Sequence, residues 1–374
     1  MRIARSALSQ PEAALLSWQS EPIAYAGIGA ESRGLFRLSG AALVAEKQCP
    51  WEATLKVFKP LPDGSTLLPS SDHYWKRESL AYTSGILDTL PEGLAAPRCY
   101  EAEDMPDGSL WLWLESVQSL VSPPWPLSRF RLAAYHLGMF NGQYLVGMPL
   151  TAHEWLSKGM TRIWAQENAY TVELIRQEAP WETAPLRQAF PQPARMRLLR
   201  LWEERDVYYR ALASLPQTLC HHDAGHRNLF AIRNEAGADQ TLLLDWELVG
   251  WGAIGEELGN LFAPALINFE VRFEQAEELA ATIVDGYVEG LHAVGWQGDV
   301  RMIRLGFAIL AIFRWGFAAA GWPVAIATDQ SGRAERQTWE QWGRSMEEVY
   351  PQWAGLTYYL LDLAEEADKL RKTV

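Results

Sequence analysis

Short apolar and β-branched runs crowd the first third of the chain. Gly34–Leu38, Thr54–Phe58 and Leu110–Leu114 are bounded by Gly, Pro and Asp, the pattern of strands in a sheet. Between the second and third, Asp72–Leu87 sets Tyr74, Leu80 and Tyr82 among charged residues and predicts a helix. Past the Pro-bearing stretch 122–126 the periodicity turns helical: Ser128–Tyr144, Ala152–Glu178, Pro193–Leu215, Phe269–Leu291, Val300–Ala320, Glu335–Val349 and Tyr358–Arg371. One β-like island interrupts these helices. Leu229–Ile232 and Gln240–Leu244, joined by the polar turn Asn234–Asp239, give a hairpin signal. The expected architecture is α+β: a small sheet-rich lobe over residues 1–117, then a larger helical lobe over 118–374 that carries the hairpin.

Composition narrows the class. A chain of 374 residues with 48% hydrophobic and 21% charged residues holds about two packed domains. Its net charge of −13 argues against a nucleic-acid binder, because neutralising phosphates takes clustered Lys and Arg. Cys49, Cys99 and Cys220 are odd in number and far apart, so neither a disulfide framework nor a zinc site is expected. The most apolar stretch, Met302–Trp322, carries Arg304 and Arg314 and three glycines, the composition of a buried helix rather than a membrane span. Gln10, Pro11 and Glu12 break the N-terminal apolar run too early for a signal peptide. A cytoplasmic protein, monomeric or homodimeric and without membrane or nucleic-acid partners, is expected.

The residues around the hairpin carry the chemistry. Before it runs Cys220, His221, His222, Asp223, Ala224, Gly225, His226, Arg227, Asn228; after it come Leu244, Asp245, Trp246, Glu247. His-x-Asp-x-x-x-x-Asn, a strand pair and a second Asp supply two carboxylates and an amide. Phosphoryl transfer asks for such a set: a group to orient a hydroxyl nucleophile, and hard oxygen ligands for a divalent metal on the phosphates. Turn-capping roles for Asp223, Asn228 and Asp245, or a zinc cluster of His221, His222 and His226, are the blander readings.

This order resembles the protein-kinase-like superfamily, specifically its aminoglycoside phosphotransferase and choline kinase branch. By that resemblance His221 is the structural His of the loop, Asp223 the catalytic Asp, and Asn228 and Asp245 the metal ligands. A protein kinase would carry Arg where His222 stands and Phe-Gly where Trp246-Glu247 stand. Gly255-Glu256-Glu257-Leu258 is similar to the family's Gly-x-Asp-Leu-Ala stretch, with Glu257 in place of Asp.

The first lobe contributes its own candidates. Lys56 sits in the apolar run Thr54–Phe58, where an unpaired ammonium is costly. The resemblance implies that it holds the α and β phosphates of ATP and pairs with Glu78. It also implies that the segment Gly27–Gly34, with Gly29, covers the phosphates, and that backbone near Glu115 and Val117 meets the adenine. The implied cofactors are ATP and Mg²⁺, and the implied substrate is a small molecule with a hydroxyl. An aminoglycoside-like, amino-alcohol or sugar acceptor is expected, with a kinase of a neutral alcohol or a catalytically silent nucleotide-binding regulator as the alternatives.

One further feature bears on the acceptor. Residues 255–300 hold nine Asp or Glu against one basic residue, Arg272. Along Phe269–Leu291, Phe273, Ile283, Tyr287 and Leu291 form one stripe, and Glu270, Glu274, Glu278, Asp285 and Glu289 recur on another. The acidic stripe reads either as a solvated face or as a surface for a cationic acceptor.

Overall fold

The computed structural model describes residues 1–23, 33–149 and 152–374. Two compact units emerge. The first gathers residues 1–120, 152–157 and 230–249, and the second 121–151, 158–229 and 250–374. The hairpin, placed by the sequence pattern in the helical lobe, thus packs with the first unit.

The first unit is built on a five-stranded antiparallel sheet of order β1-β2-β3-β6-β5. Its strands are β1 (Ala14–Pro22), β2 (Arg33–Val44), β3 (Lys47–Phe58), β5 (Cys99–Asp104) and β6 (Leu110–Leu114); β4 (Leu94–Ala95) lies outside it. Alternation along β3 sorts the two faces. Trp51, Ala53 and Leu55 pack with Leu38, Ala42 and Ala4, the last from helix α1 (Arg2–Leu8). The opposite face buries Phe58, Leu110, Leu112 and Leu114 against Trp75 and Tyr82. Lys56, directly opposite Leu112 in the β3–β6 register, belongs to that second face.

The helix expected over 72–87 is shorter. α2 spans Arg77–Thr83, and a 3₁₀ turn follows at Ile86–Thr89. Gly85 at φ +83 ends the first turn of chain, and the carbonyls of Ser71 and Asp72 accept from the Arg77 guanidinium instead of continuing a helical ladder. The hairpin pairs Leu229–Arg233 with Asp239–Leu243, and the latter adds a parallel edge to β4. Its turn is closed by Asn234, whose Oδ1 accepts from the Ala238 amide at 2.8 Å.

The second unit is helical. Its longest contact joins α3 (Leu127–Leu145) to α9 (Ala276–Ala293). Glycines make that approach possible: a Cβ on Gly138 would lie 2.2 Å from the Tyr287 carbonyl oxygen, and one on Gly290 would lie 1.9 Å from that of Tyr135. Backbone meets backbone where side chains would otherwise hold the helices apart. The expected helix over 152–178 divides into α4 (Met160–Glu167) and α5 (Ala169–Arg176) at Asn168, whose side-chain amide donates to the Arg314 carbonyl at 2.9 Å. α6 (Ala184–Ala189) and α7 (Ala194–Ser214) lead to a strand, Gln217–Cys220, paired antiparallel with Gly250–Ala253.

After α8 (Glu256–Ile267), the apolar stretch forms one continuous helix, Val300–Thr328: α10 (Val300–Leu310), a π segment (Ala311–Gly316) and α11 (Phe317–Thr328). By length and composition it could cross a membrane, yet 78% of its most apolar window is buried inside the protein. The predicted helix 335–349 is split between α12 (Arg333–Trp342) and α13 (Met346–Leu370). Gly343 at φ +63 breaks it, and a reciprocal Ser345–Glu348 capping box starts the next helix.

Candidate functional site

In the first unit the strand, the helix and the segment after the hairpin converge on Lys56. Its ammonium donates to Glu78 Oε1 at 2.7 Å and to Asp245 Oδ1 at 2.9 Å, with 18% of the side chain exposed. Burial pulls the lysine pKa down, but Asp245 and Glu78 together outweigh it and hold the group above its ordinary value. A charge inside a sheet face is therefore matched by two carboxylates. Asp245 adopts a left-handed backbone, φ +63, directly before the 3₁₀ turn Trp246–Leu248.

Arg77 organises this half. One of the charged residues of the stretch 72–87, it is nevertheless only 1% exposed. Its guanidinium reaches the carbonyls of Trp155, Asp72, Glu247 and Ser71 at 2.6 to 3.1 Å. One side chain thereby ties the helix bearing Glu78 to the turn that follows Asp245. Burial lowers Arg77 to about 10, against the opposing charges of Glu247 and Asp72, so it remains cationic at neutral pH.

Glu115 and Val117 follow β6 in an extended segment. The Glu115 amide donates to the Arg98 carbonyl at 2.8 Å, so that N–H is committed within the protein. Gly29 lies outside the described residues, as do the other positions of its loop before Arg33.

The second unit frames Asp223. Glu257, at the start of α8, accepts at Oε1 from the backbone amides of both His221 and His222. Two successive N–H groups closing on one carboxylate oxygen form a nest. His222 sits at φ +68, a conformation L-residues avoid, and this grip holds it there. Glu257, standing where the similar stretch has Asp, thus ties α8 to this loop. His221 Nδ1 accepts from the Asp223 amide at 3.2 Å. Asn228 donates Nδ2 to the Asp223 carbonyl at 3.0 Å and to Asp223 Oδ2 at 2.8 Å.

The strand leading into the loop is anchored from behind. Asn141 of α3 donates to the Leu219 carbonyl at 2.7 Å, and Tyr287 of α9 donates to Asn141 Oδ1 at 2.7 Å. Glu256 accepts from the Thr161 hydroxyl and the Ala253 amide. Burial raises Glu256 and Glu257 from 4.5 to about 7, only partly offset by these donors.

Sequence reasoning missed Arg314. Its guanidinium donates Nη2 to Asp223 Oδ1 at 2.7 Å and Nη1 to the His222 carbonyl at 2.9 Å and Asn260 Oδ1 at 2.7 Å. The available signal was one of two arginines in the apolar run Met302–Trp322, where a buried charge demands a partner.

The histidines have separate partners: His222 Nε2 donates to the Trp251 carbonyl at 3.1 Å, and His226 Nε2 meets Glu270 Oε1 at 2.5 Å. Among the described residues no cluster of three or more His, Cys, Asp or Glu could hold a metal by itself. The three cysteines are unpaired. Asn228 of the second unit spends its amide nitrogen on Asp223, and Asp245 of the first unit pairs with Lys56; carboxylate and amide oxygens are the hard donors that suit Mg²⁺.

The acidic stretch is mostly occupied elsewhere. Glu256, Glu257 and Glu270 are engaged inside the unit, Glu274 pairs with Arg272, and Glu289 pairs with Arg131. Glu277, Glu278 and Asp285 face solvent, while Ile283, Tyr287 and Leu291 of the same helix are buried.

Residues 142–296 match the family model described as Phosphotransferase enzyme family. The matched segment is less than half of the chain. It contains Asp223, Asn228, Asp245 and Glu257, whereas Lys56 and Glu78 precede it. Two solved structures share the fold. An aminoglycoside phosphotransferase from Alicyclobacillus acidocaldarius subsp. acidocaldarius DSM 446 is 13% identical over 98% of this chain and 96% of its own, with a TM-score of 0.52. Amicoumacin kinase hAmiN, in complex with AMP-PNP, Ca²⁺ and Ami, is 13% identical over 91% of this chain and 89% of its own, with a TM-score of 0.50. No match to a curated protein is significant. The fold is the protein-kinase-like one, and the matched segment agrees with the resemblance to phosphotransferases.

Proposed function

We propose that the protein is an ATP- and Mg²⁺-dependent kinase that phosphorylates a hydroxyl of a small molecule in the cytoplasm. The observation that carries this reading is the Asp223 carboxylate, held by Asn228 inside the segment that matches the phosphotransferase family model. In the reaction the acceptor oxygen bonds to the γ-phosphorus as the bond to the β–γ bridging oxygen breaks and ADP leaves. Asp223 accepts the acceptor's hydroxyl hydrogen bond, orients that oxygen and receives its proton. Lys56, set by Glu78, holds the α and β phosphates. Asn228 and Asp245 would hold Mg²⁺, which supplies neutralisation of phosphate charge. Backbone near Glu115 and Val117 meets the adenine through groups other than the Glu115 amide.

The acceptor is a hydroxylated small molecule of the amino-alcohol or sugar kind. A polycation is not favoured, since the carboxylates that suggested one are engaged internally or face solvent on α9. The test is ADP release from wild type and Asp223→Asn with a panel of alcohols, with mass detection of the added phosphate. Turnover lost by more than 10²-fold, with Mg·ATP binding retained, fits the assignment; unchanged turnover in Asp223→Asn sinks it.

A further inference from the structure

Asp223 is gripped on both carboxylate oxygens. Asn228 takes Oδ2, and Arg314, from a helix 91 residues further along the chain, takes Oδ1 at 2.7 Å. The guanidinium is itself fixed on every side. Trp164 lies over it at 3.6 Å from ring centroid to Cζ, and Trp315 lies at 4.8 Å. Asn260 Oδ1 accepts from Arg314 at 2.7 Å and from the Trp315 indole at 3.2 Å, and Asn260 Nδ2 donates to the His222 carbonyl at 2.7 Å. With 11% of the side chain exposed, Arg314 has little freedom to leave Asp223.

The backbone beneath it is unusual as well. Arg314 lies within the π segment Ala311–Gly316, between α10 and α11. Such segments are an added residue in an α-helix and cluster at functional sites. A stacked, five-donor guanidinium on a rigid support suits orientation of a carboxylate, and a lysine would supply charge without the fork.

We propose that Arg314 is a positioning residue for the phosphotransfer reaction, acting through Asp223: it fixes that carboxylate so that the acceptor hydroxyl meets one orientation of it. The inference rests on the kinase reading above. Its signature is a loss in kcat that depends on Asp223 being present. Residues that act as a unit are non-additive, so removing Arg314 should matter little once Asp223 is gone.

The experiment compares wild type, Arg314→Ala, Arg314→Lys, Asp223→Asn and Asp223→Asn/Arg314→Ala. ADP release is followed with Mg·ATP and the best alcohol of the panel, or with water as acceptor if no alcohol is turned over. Arg314→Ala should lower kcat by about 30- to 100-fold with KM for ATP within about twofold, on the scale of a small misplacement of a reacting group. Arg314→Lys should recover part of that loss, guanidinium chloride at millimolar level should partly restore Arg314→Ala, and the double variant should match Asp223→Asn. A wild-type kcat in Arg314→Ala overturns the proposal. So does a further loss in the double variant equal to that of Arg314→Ala alone, the additive pattern of a merely structural residue. Should Arg314→Ala fail to fold, Arg314→Lys alone decides by the same kcat-against-KM split. A wild type that binds Mg·ATP yet releases no ADP with any acceptor instead refutes the kinase reading itself, and the proposal with it.

Discussion

Glu257→Ala is the substitution with the most to reveal. It deletes the oxygen that accepts from both the His221 and His222 amides, at a site where Glu257 is 1% exposed and water has little access. Each buried donor left without a partner costs about 1–3 kcal/mol. The left-handed His222, worth roughly 1 kcal/mol of backbone strain, also loses its restraint. Because these terms are partly relieved when the loop relaxes, a net loss of about 3 kcal/mol is expected. For a unit of this size that shifts the melting temperature by roughly 6–12 °C. Relaxation is also the functional cost, since a shift of about 1 Å in Asp223 lowers kcat by ~10²-fold. Glu257→Gln retains a carbonyl oxygen for the same two amides and should keep most of the stability and turnover. Calorimetry and ADP release on the three proteins decide the matter. A melting temperature within about 1 °C of wild type for the alanine variant, or glutamine as damaging as alanine, would refute the reasoning.

Three other outcomes are expected. Asp245→Ala leaves Lys56 with one carboxylate instead of two and should weaken Mg·ATP binding by at least tenfold in titration calorimetry, whereas Glu78→Gln should weaken it less. Glu256 and Glu257 have folded-state values raised to about 7, so the folded chain retains protons that the unfolded chain has released near 4.5. Their contribution is full below about pH 4.5 and is lost as pH rises to about 7, on the order of 3 kcal/mol per group. Denaturant midpoints measured across that window should fall more steeply in wild type than in Glu256→Gln, and parallel curves would count against it. Gly252→Ala would place a Cβ 2.6 Å from His222 Cε1 and 2.8 Å from both Cys220 Sγ and Glu256 Oε2; about 1–3 kcal/mol of overpacking and a reduced kcat should follow, read by melting and ADP release.

The elements that the sequence made legible are the locally encoded ones. The hairpin, the core stripe of α9 and the residue order from His221 to Asp245 depend on neighbours within a few positions, and they appear where periodicity and turn chemistry put them. That Lys56 needs a carboxylate follows from an ammonium in an apolar strand, while the resemblance implied that the carboxylate is Glu78. Less accessible were contacts closed over long stretches of chain. Arg77 stands in a charged stretch, and only the carbonyls of Ser71, Asp72, Trp155 and Glu247, collected from three segments, explain its burial. Arg314 was visible merely as an interruption of an apolar run, since nothing near it in sequence names Asp223 as its partner. Helix ends were misjudged where a side chain captured a carbonyl, as at Arg77, or where a positive-φ glycine intervened, as at Gly343.

The π segment in the long apolar helix gives residue counting a meaning there. Each position of an α-helix turns by about 100°, so loss of one residue between Ala311 and Gly316 would restore an ordinary helix and swing everything on one side of the cut by that angle. Arg314 and α11 could not both stay in place. A single-codon deletion in this stretch would therefore act as a larger lesion than any substitution in it, and an insertion one turn away could in principle undo the damage without restoring the original letters.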